Sequence, residues 1–119
     1  MRACTALGVS YKNAEGVKQD YPKANKLFTE ACSNREKNAC TLLGISYSKA
    51  QGVQQNHSKA NEFYTKACNL EDMEGCTLLA VSYYTGKGIE QNINKSKSLF
   101  MKVCDSGVQK ACELLQNLN

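Results

Sequence analysis

The sequence predicts an all-α protein, a right-handed αα-solenoid of three 36-residue helix-turn-helix repeats closed by a terminal helix. Three observations predict it. Cys4, Cys40, Cys76 and Cys112 follow one another at intervals of 36 residues, and Cys32, Cys68 and Cys104 keep the same interval. Each period holds two stretches with apolar residues at helical spacing, separated by a glycine and a capping residue. One proline, no tryptophan and few β-branched runs favour helix over strand. A single such unit cannot bury its own apolar face, so about three are needed before an array is stable.

The elements follow in order within each unit. Residues 4–39, 40–75 and 76–111 align without a gap and match well beyond the cysteines, as in "CTLLGISYSKAQGVQQNHSKANEFYTKAC" over "CTLLAVSYYTGKGIEQNINKSKSLFMKVC". In the second unit Cys40, Leu43, Gly44 and Tyr47 fall at i, i+3, i+4 and i+7, with Ala50 continuing the stripe, and define helix A. Gly52 recurs as Gly16 and Gly88, each followed by Val or Ile, and reads as a C-cap or a turn residue with positive φ. Asp20, Asn56 and Asn92 share the next position, all good N-cap types, and Pro22 suits a first helical turn. From Ala60 the helical spacing resumes through Phe63, Tyr64, Ala67 and Cys68 as helix B, and "NLEDMEG" reads as the turn to the next helix A. Residues 112–119, "CELLQNLN", repeat only the start of a unit and read as a capping helix. Gly8, Gly44 and Ala80 share one register, Ala31, Ala67 and Val103 another, and Tyr11, Tyr47 and Tyr83 a third. These small and aromatic positions read as helix packing.

Composition removes several function classes. The 119 residues suit one domain, and 42% hydrophobic residues build a core. No run of about 18 apolar residues occurs, which excludes a transmembrane helix. "MRACTALGVSYK" is interrupted by Lys12 before an apolar h-region develops, so it is not a secretory signal. Fifteen Lys and Arg against eleven Asp and Glu give a net charge of +4, with the basic residues scattered. That supports solubility and a mild preference for acidic partners rather than nucleic acid.

Seven cysteines raise the question of their chemistry. A metal site needs closely spaced Cys-x2-Cys or Cys-x4-Cys clusters with histidine nearby, and the single His57 has no equivalent in the other units, so no metal and no cofactor are expected. A redox-active pair needs Cys-x-x-Cys, which is absent. A repeated staple fits, and two ladders are open. Cys32–Cys40, Cys68–Cys76 and Cys104–Cys112 would join helix B to the next helix A. Cys4–Cys32, Cys40–Cys68 and Cys76–Cys104 would tie the ends of one hairpin. Chain entropy gives about 2.6 kcal/mol for the short loop and about 3.6 kcal/mol for the long one, too close to choose.

Catalytic signals are sparse. Ser46-Tyr47-Ser48-Lys49 matches the Ser-x-x-Lys nucleophile motif, in which lysine eases serine deprotonation, and makes Ser46 and Lys49 the only catalytic candidates. The supporting Ser-Asp-Asn and Lys-Thr-Gly elements are missing, and the equivalents Ser10-Tyr11-Lys12-Asn13 and Ser82-Tyr83-Tyr84-Thr85 lack the lysine. Gly86-Lys87-Gly88 lacks the spacing of a phosphate-binding loop.

The pattern Ala-Cys-x-x-Leu-Gly-x-x-Tyr, then Gly-Val, Lys-Ala, an aromatic residue and Lys-Ala-Cys resembles the Sel1-like repeat, a relative of the tetratricopeptide repeat. With Cys-x7-Cys in every unit, the chain is similar to the Helicobacter cysteine-rich family of disulfide-bridged repeats, from Cys4 to Cys112. The resemblance implies the short ladder, Cys32–Cys40, Cys68–Cys76 and Cys104–Cys112, which leaves Cys4 unpaired. The chain is then expected to be the C-terminal part of a longer array. Disulfides in every unit imply a periplasmic or secreted protein whose signal peptide lies outside this chain.

The same resemblance carries two functional expectations. In tetratricopeptide-like arrays helix A lines the concave surface, which would present Thr41, Ile45, Ser48, Lys49, Thr77, Val81 and Tyr84 to a peptide or protein partner. Positions 12, 48 and 84 are Lys, Ser and Tyr, so this surface varies while the core repeats. The alternative is a penicillin-binding protein with weak β-lactamase activity, hydrolysing a β-lactam amide and taking a β-lactam or a peptidoglycan-like small molecule, held in a shallow groove rather than by a dedicated nucleophile.

Overall fold

Asp20, Asn56 and Asn92 start the three B helices as predicted. Each has extended backbone, and its side chain accepts the main-chain N–H of Lys23, Lys59 or Lys95 at 3.1, 2.9 and 3.0 Å. The bond satisfies one of the donors that a helix start leaves free. Pro22 lies in the first turn of its helix, where its missing N–H costs nothing. The structure, a computed structural model, describes residues 2–13 and 19–118, with side chains from Thr5 onward. Gly16 and the side chain of Cys4, with the expectation that Cys4 is unpaired, lie outside the described residues.

Seven helices and no strand occur among the described residues. They are α1 (Arg2–Asn13), α2 (Tyr21–Ser33), α3 (Lys37–Lys49), α4 (His57–Asn69), α5 (Met73–Thr85), α6 (Ile93–Asp105) and α7 (Gln109–Asn117). α1, α3 and α5 are the A helices, α2, α4 and α6 the B helices. Consecutive helices pack on one another along the chain, and α3 also reaches α5. The result is an αα-solenoid measuring 45 × 28 × 22 Å.

The turns differ from expectation in two ways. Gly52 and Gly88 do have positive φ, 78° and 70°, yet the A helices end two residues earlier, at Ala50 with φ 56° and at Gly86 with φ 77°. The A helices also begin three residues before the first cysteine, at Lys37 and Met73, so the last three residues of "NLEDMEG" are already helical. A tight reversal makes this possible. Glu71 adopts φ 69°, its N–H reaches the Cys68 carbonyl at 2.9 Å, and the Asp72 N–H reaches the Ala67 carbonyl at 3.0 Å. This paired closure satisfies two end carbonyls of α4 and turns the chain within residues 70–72. Arg35 and Gly107 repeat it at the ends of α2 and α6.

Each reversal brings two cysteines together. The disulfides are Cys32–Cys40, Cys68–Cys76 and Cys104–Cys112, with Cα atoms 4.8, 4.6 and 4.7 Å apart, which is the short ladder. The core between units is built from Ala24, Phe28 and Leu43 at the first junction and Ala60, Tyr64 and Leu79 at the second. Within the second helix pair, Gly44 is required where α3 crosses α4, because a Cβ would fall 2.5 Å from the Tyr64 ring and 3.1 Å from the Ala60 carbonyl.

Candidate interaction surface

A repeated clasp fixes the C-terminal ends of the A helices, where the variable side chains stand. The N–H groups of Asp20, Asn56 and Asn92 donate to the carbonyls of Tyr11, Tyr47 and Tyr83 at 2.9, 3.0 and 2.9 Å. The preceding Gln19, Gln55 and Gln91 donate through Nε2 to the carbonyls of Lys12, Ser48 and Tyr84 at 2.8, 2.9 and 2.7 Å. The ammonium groups of Lys23, Lys59 and Lys95 cover the rings of Tyr11, Tyr47 and Tyr83 at 4.9, 5.2 and 5.5 Å, a cation–π contact in every unit. The tyrosines are thus packing residues as expected, with a polar task that helical spacing does not reveal. The carbonyls of positions 12, 48 and 84 accept the same glutamine bond in each unit, while their side chains differ.

The predicted surface residues fall into three groups. Thr41 is 2% exposed and donates its hydroxyl to the Asp72 carboxylate. That is a correction to the sequence reading: the early start of α5 places the 70–72 turn and Gly75 over Thr41 and takes it off the surface. Ile45 is half-buried against the Ala60, Tyr64 and Leu79 cluster, and Thr77 is half-buried with its hydroxyl donated to the Met73 carbonyl at 2.9 Å. Lys49 is exposed, Ser48 is partly exposed, and Val81 and Tyr84 are each 43% exposed.

Ser48 and Val81 meet at a cleft of about 160 Å³ between the second and third helix pairs, with Tyr64, His57, Asn61 and Lys87 on its walls. Burial pushes the Tyr64 phenol above its ordinary value, Ser48 works against that shift, and the Glu74 charge adds to it. The Asn61 amide fixes the rim by donating to the Lys87 carbonyl at 2.8 Å, as Asn25 does to Gln51 at 2.6 Å one unit earlier. Sequence reasoning assigned Tyr64 to the core and weighed His57 only as a metal ligand and Lys87 only within a phosphate-binding loop. The one available signal was that Asn25 and Asn61 share a register at a buried position.

The catalytic candidates are not assembled. Ser46 is 1% exposed and gives its hydroxyl to the Leu42 carbonyl at 3.2 Å, the back-bond typical of a helical serine. This committed hydroxyl gives the β-lactamase reading no nucleophile. No group of three or more His, Cys, Asp or Glu placed to hold a metal occurs among the described residues, and no described helix is long and apolar enough to cross a membrane.

Comparison with known proteins adds the following. The Sel1 repeat matches residues 2–35, 37–72 and 74–108. Among solved structures, a protective antigen present in uropathogenic Escherichia coli strains, displaying an SLR fold, superposes with TM-score 0.87 at 30% identity over 91% of this chain and 23% of its own. A Sel1 repeat protein from Oxalobacter formigenes gives TM-score 0.89 at 23% identity over 92% of this chain and 45% of its own. Helicobacter pylori cysteine rich protein B gives TM-score 0.81 at 30% identity over 95% of this chain and 86% of its own. This chain therefore spans less than half the length of the first two. No curated protein matches it.

Proposed function

Because the chain belongs to the Sel1 repeat family, we propose that it is a disulfide-stapled scaffold that binds a peptide or protein partner on the concave surface of its A helices. The binding residues in this reading are Ile45, Ser48, Lys49, Thr77, Val81 and Tyr84, without Thr41. One observation carries it: Val81 and Tyr84 expose large apolar side chains one helical turn apart on α5, beside the cleft that Ser48 and Val81 share. Clasped backbone beneath them limits the ordering cost of binding, because only side chains need to settle. The three disulfides support residence in an oxidising compartment, periplasmic or extracellular.

Selection of a displayed random-peptide library on the oxidised chain tests the reading. Enriched peptides are expected to lose about tenfold or more in affinity for Val81→Ser and Tyr84→Ala. They should bind Met101→Ser normally, since Met101 is an equally apolar exposed side chain on the B helix α6. Equal losses at Met101, or no enrichment, would overturn it.

A further inference from the structure

Ser10, Ser46 and Ser82 share one register on the three A helices, and the third behaves differently. Ser10 and Ser46 return their hydroxyls to the Ala6 and Leu42 carbonyls, each at 3.2 Å. Ser82 is only 9% exposed and its carbonyl accepts the Gly86 N–H at 2.7 Å, yet among the described residues nothing pairs with its hydroxyl. Asn61 shows the complementary case. It is 4% exposed and its amide donates to the Lys87 carbonyl, while its Oδ1 receives no donor among the described residues. Neither atom is sealed from solvent as the Oδ1 of the equivalent Asn25 is, and both residues line the cleft of about 160 Å³ at the second junction. The cleft is therefore what they open onto. Buried polar groups rarely go unpaired, so a donor and an acceptor left together at one cleft suit a ligand that pairs with both.

The neighbouring junctions lack this arrangement. One period earlier Lys12, Phe28, Ile45 and Lys49 stand where Ser48, Tyr64, Val81 and Thr85 line the cleft. Each exchange at the second junction shortens a side chain or adds a hydroxyl. One period later Lys97 and Leu118 take the places of Asn61 and Ser82, so the pair occurs at one junction of three. Its volume fits a single side chain, since a cavity of about 150 Å³ holds a group as large as benzene. Burial raises the Tyr64 phenol, which keeps a further hydroxyl donor on the cleft wall. Ions of either sign are disfavoured. Lys87 on the wall opposes an ammonium group, whereas the bare Asn61 Oδ1 opposes a carboxylate, as does the Glu74 charge that acts on Tyr64.

We propose that the cleft seats a glutamine side chain of the bound peptide, its NH2 group donating to the Asn61 Oδ1 and its carbonyl accepting from the Ser82 hydroxyl. This rests on the A helices being the binding surface and adds the residue they select. A neutral carboxamide is donor and acceptor at once, which a hydrocarbon, a carboxylate and an ammonium group are not. A hydrocarbon side chain would leave both protein groups unpaired, and such a site discriminates strongly against it.

The probes are fluorescein-labelled heptapeptide pools with Gln, Leu, Glu or Lys fixed at the central position and the other positions mixed. Anisotropy titration of the oxidised chain should show the Gln pool binding about tenfold tighter than the other three. Ser82→Ala should shrink that preference, and Thr85→Lys, which copies the first junction, should abolish it. Ser82→Ala removes no bond within the chain and Thr85 is exposed, so both variants are expected to keep the helical circular dichroism of the parent. Tyr84→Ala should weaken all four pools alike. Equal binding of the pools, still weakened by Tyr84→Ala, would overturn the glutamine and leave the binding surface standing. Absence of binding by every pool would overturn both readings. A Gln preference that survives Ser82→Ala and Thr85→Lys unchanged would remove the cleft as its seat. Tightest binding of the Glu or Lys pool would replace the carboxamide by an ion, and displacement of the Gln pool by an equal concentration of free glutamine would replace the peptide by a small amide.

Discussion

The inner repeats and the last repeat solve the same packing problem with different residues. At the two inner junctions the staples Cys32–Cys40 and Cys68–Cys76 are buried, the reversal is made by Arg35 and Glu71, and the next helix starts at Glu36 and Asp72. Those two acids do not cap their own helices. They accept hydroxyls from the preceding A helix instead, Thr5 to Glu36 at 2.7 Å and Thr41 to Asp72. At the last junction Cys104 and Cys112 are only half-buried, Gly107 makes the reversal and Val108 replaces the acid, so Thr77 turns back to its own helix. Inside the third unit Ala80 replaces Gly44, and Ser96 donates to the Ala80 carbonyl at 2.7 Å where Ala60 offers no hydroxyl. The second helix pair is thus tied by such hydroxyl–carboxylate bonds on both sides, whereas the third has one only toward the second and adds the Ser96 bond within itself.

The largest effect should come from unequal staples in equal loops. All three disulfides close the same separation of 8, so chain entropy assigns each about 2.6 kcal/mol. Any further difference must come from what covers them. Cys68→Ala/Cys76→Ala is expected to cost about 3–4 kcal/mol in urea unfolding followed by circular dichroism, because it loosens two units at once. Cys104→Ala/Cys112→Ala should cost less than about 2 kcal/mol globally, since its main consequence is local release of α7. Stepwise reduction with alkylation and mass spectrometry should label Cys104 and Cys112 first. Simultaneous labelling of all three pairs would remove the distinction between inner and terminal junctions.

A middle-sized effect separates the two crossings within units. Gly44→Ala forces a methyl against the Tyr64 ring and the Ala60 backbone and is expected to cost about 1–3 kcal/mol, read as a lowered Tm. Ala80→Gly removes a methyl that fits and should cost about 1 kcal/mol through helix propensity. If Gly44→Ala proved neutral, α3 and α4 would have room to spread, and the tighter inner packing would be lost as an explanation.

These same positions show what the sequence revealed. Periodicity exposed the repeat, the A and B helices, the N-caps and the small residues at crossings, because each is a local requirement of one residue type. It misplaced Thr41, since the fate of that residue depends on where the next unit's helix starts. It also missed the early start of α3 and α5, because Arg35 and Glu71 occupy a left-handed conformation that a reader assigns to glycine. The cleft escaped for a related reason: Ser48, Tyr64 and Lys87 come from different elements and meet only through stacking between units. The lysine–tyrosine clasps, by contrast, were legible in principle, as Lys23, Lys59 and Lys95 recur at one interval.

The smallest effect tests the reversal itself. Arg35 and Glu71 hold φ of 66° and 69°, a region that costs an L-residue with a side chain about 1–2 kcal/mol, while Gly107 meets the same demand at φ 106° without that cost. Glycine also gains entropy in the unfolded chain, which offsets part of the relief. Glu71→Gly should therefore stabilise by about 0.5–1 kcal/mol or less, and it also removes the Glu71 carboxylate from its exposed ion pair with Lys102 at 3.0 Å. That pair is worth little, as both partners are largely in solvent. Arg35→Gly carries no such complication and should give the cleaner gain, whereas Gly107→Glu should destabilise by a similar amount. A loss of stability in Arg35→Gly, measured by thermal unfolding, would mean that the inner reversals are held by contacts of the arginine side chain rather than imposed on it by the closing hydrogen bonds to Ala31 and Cys32.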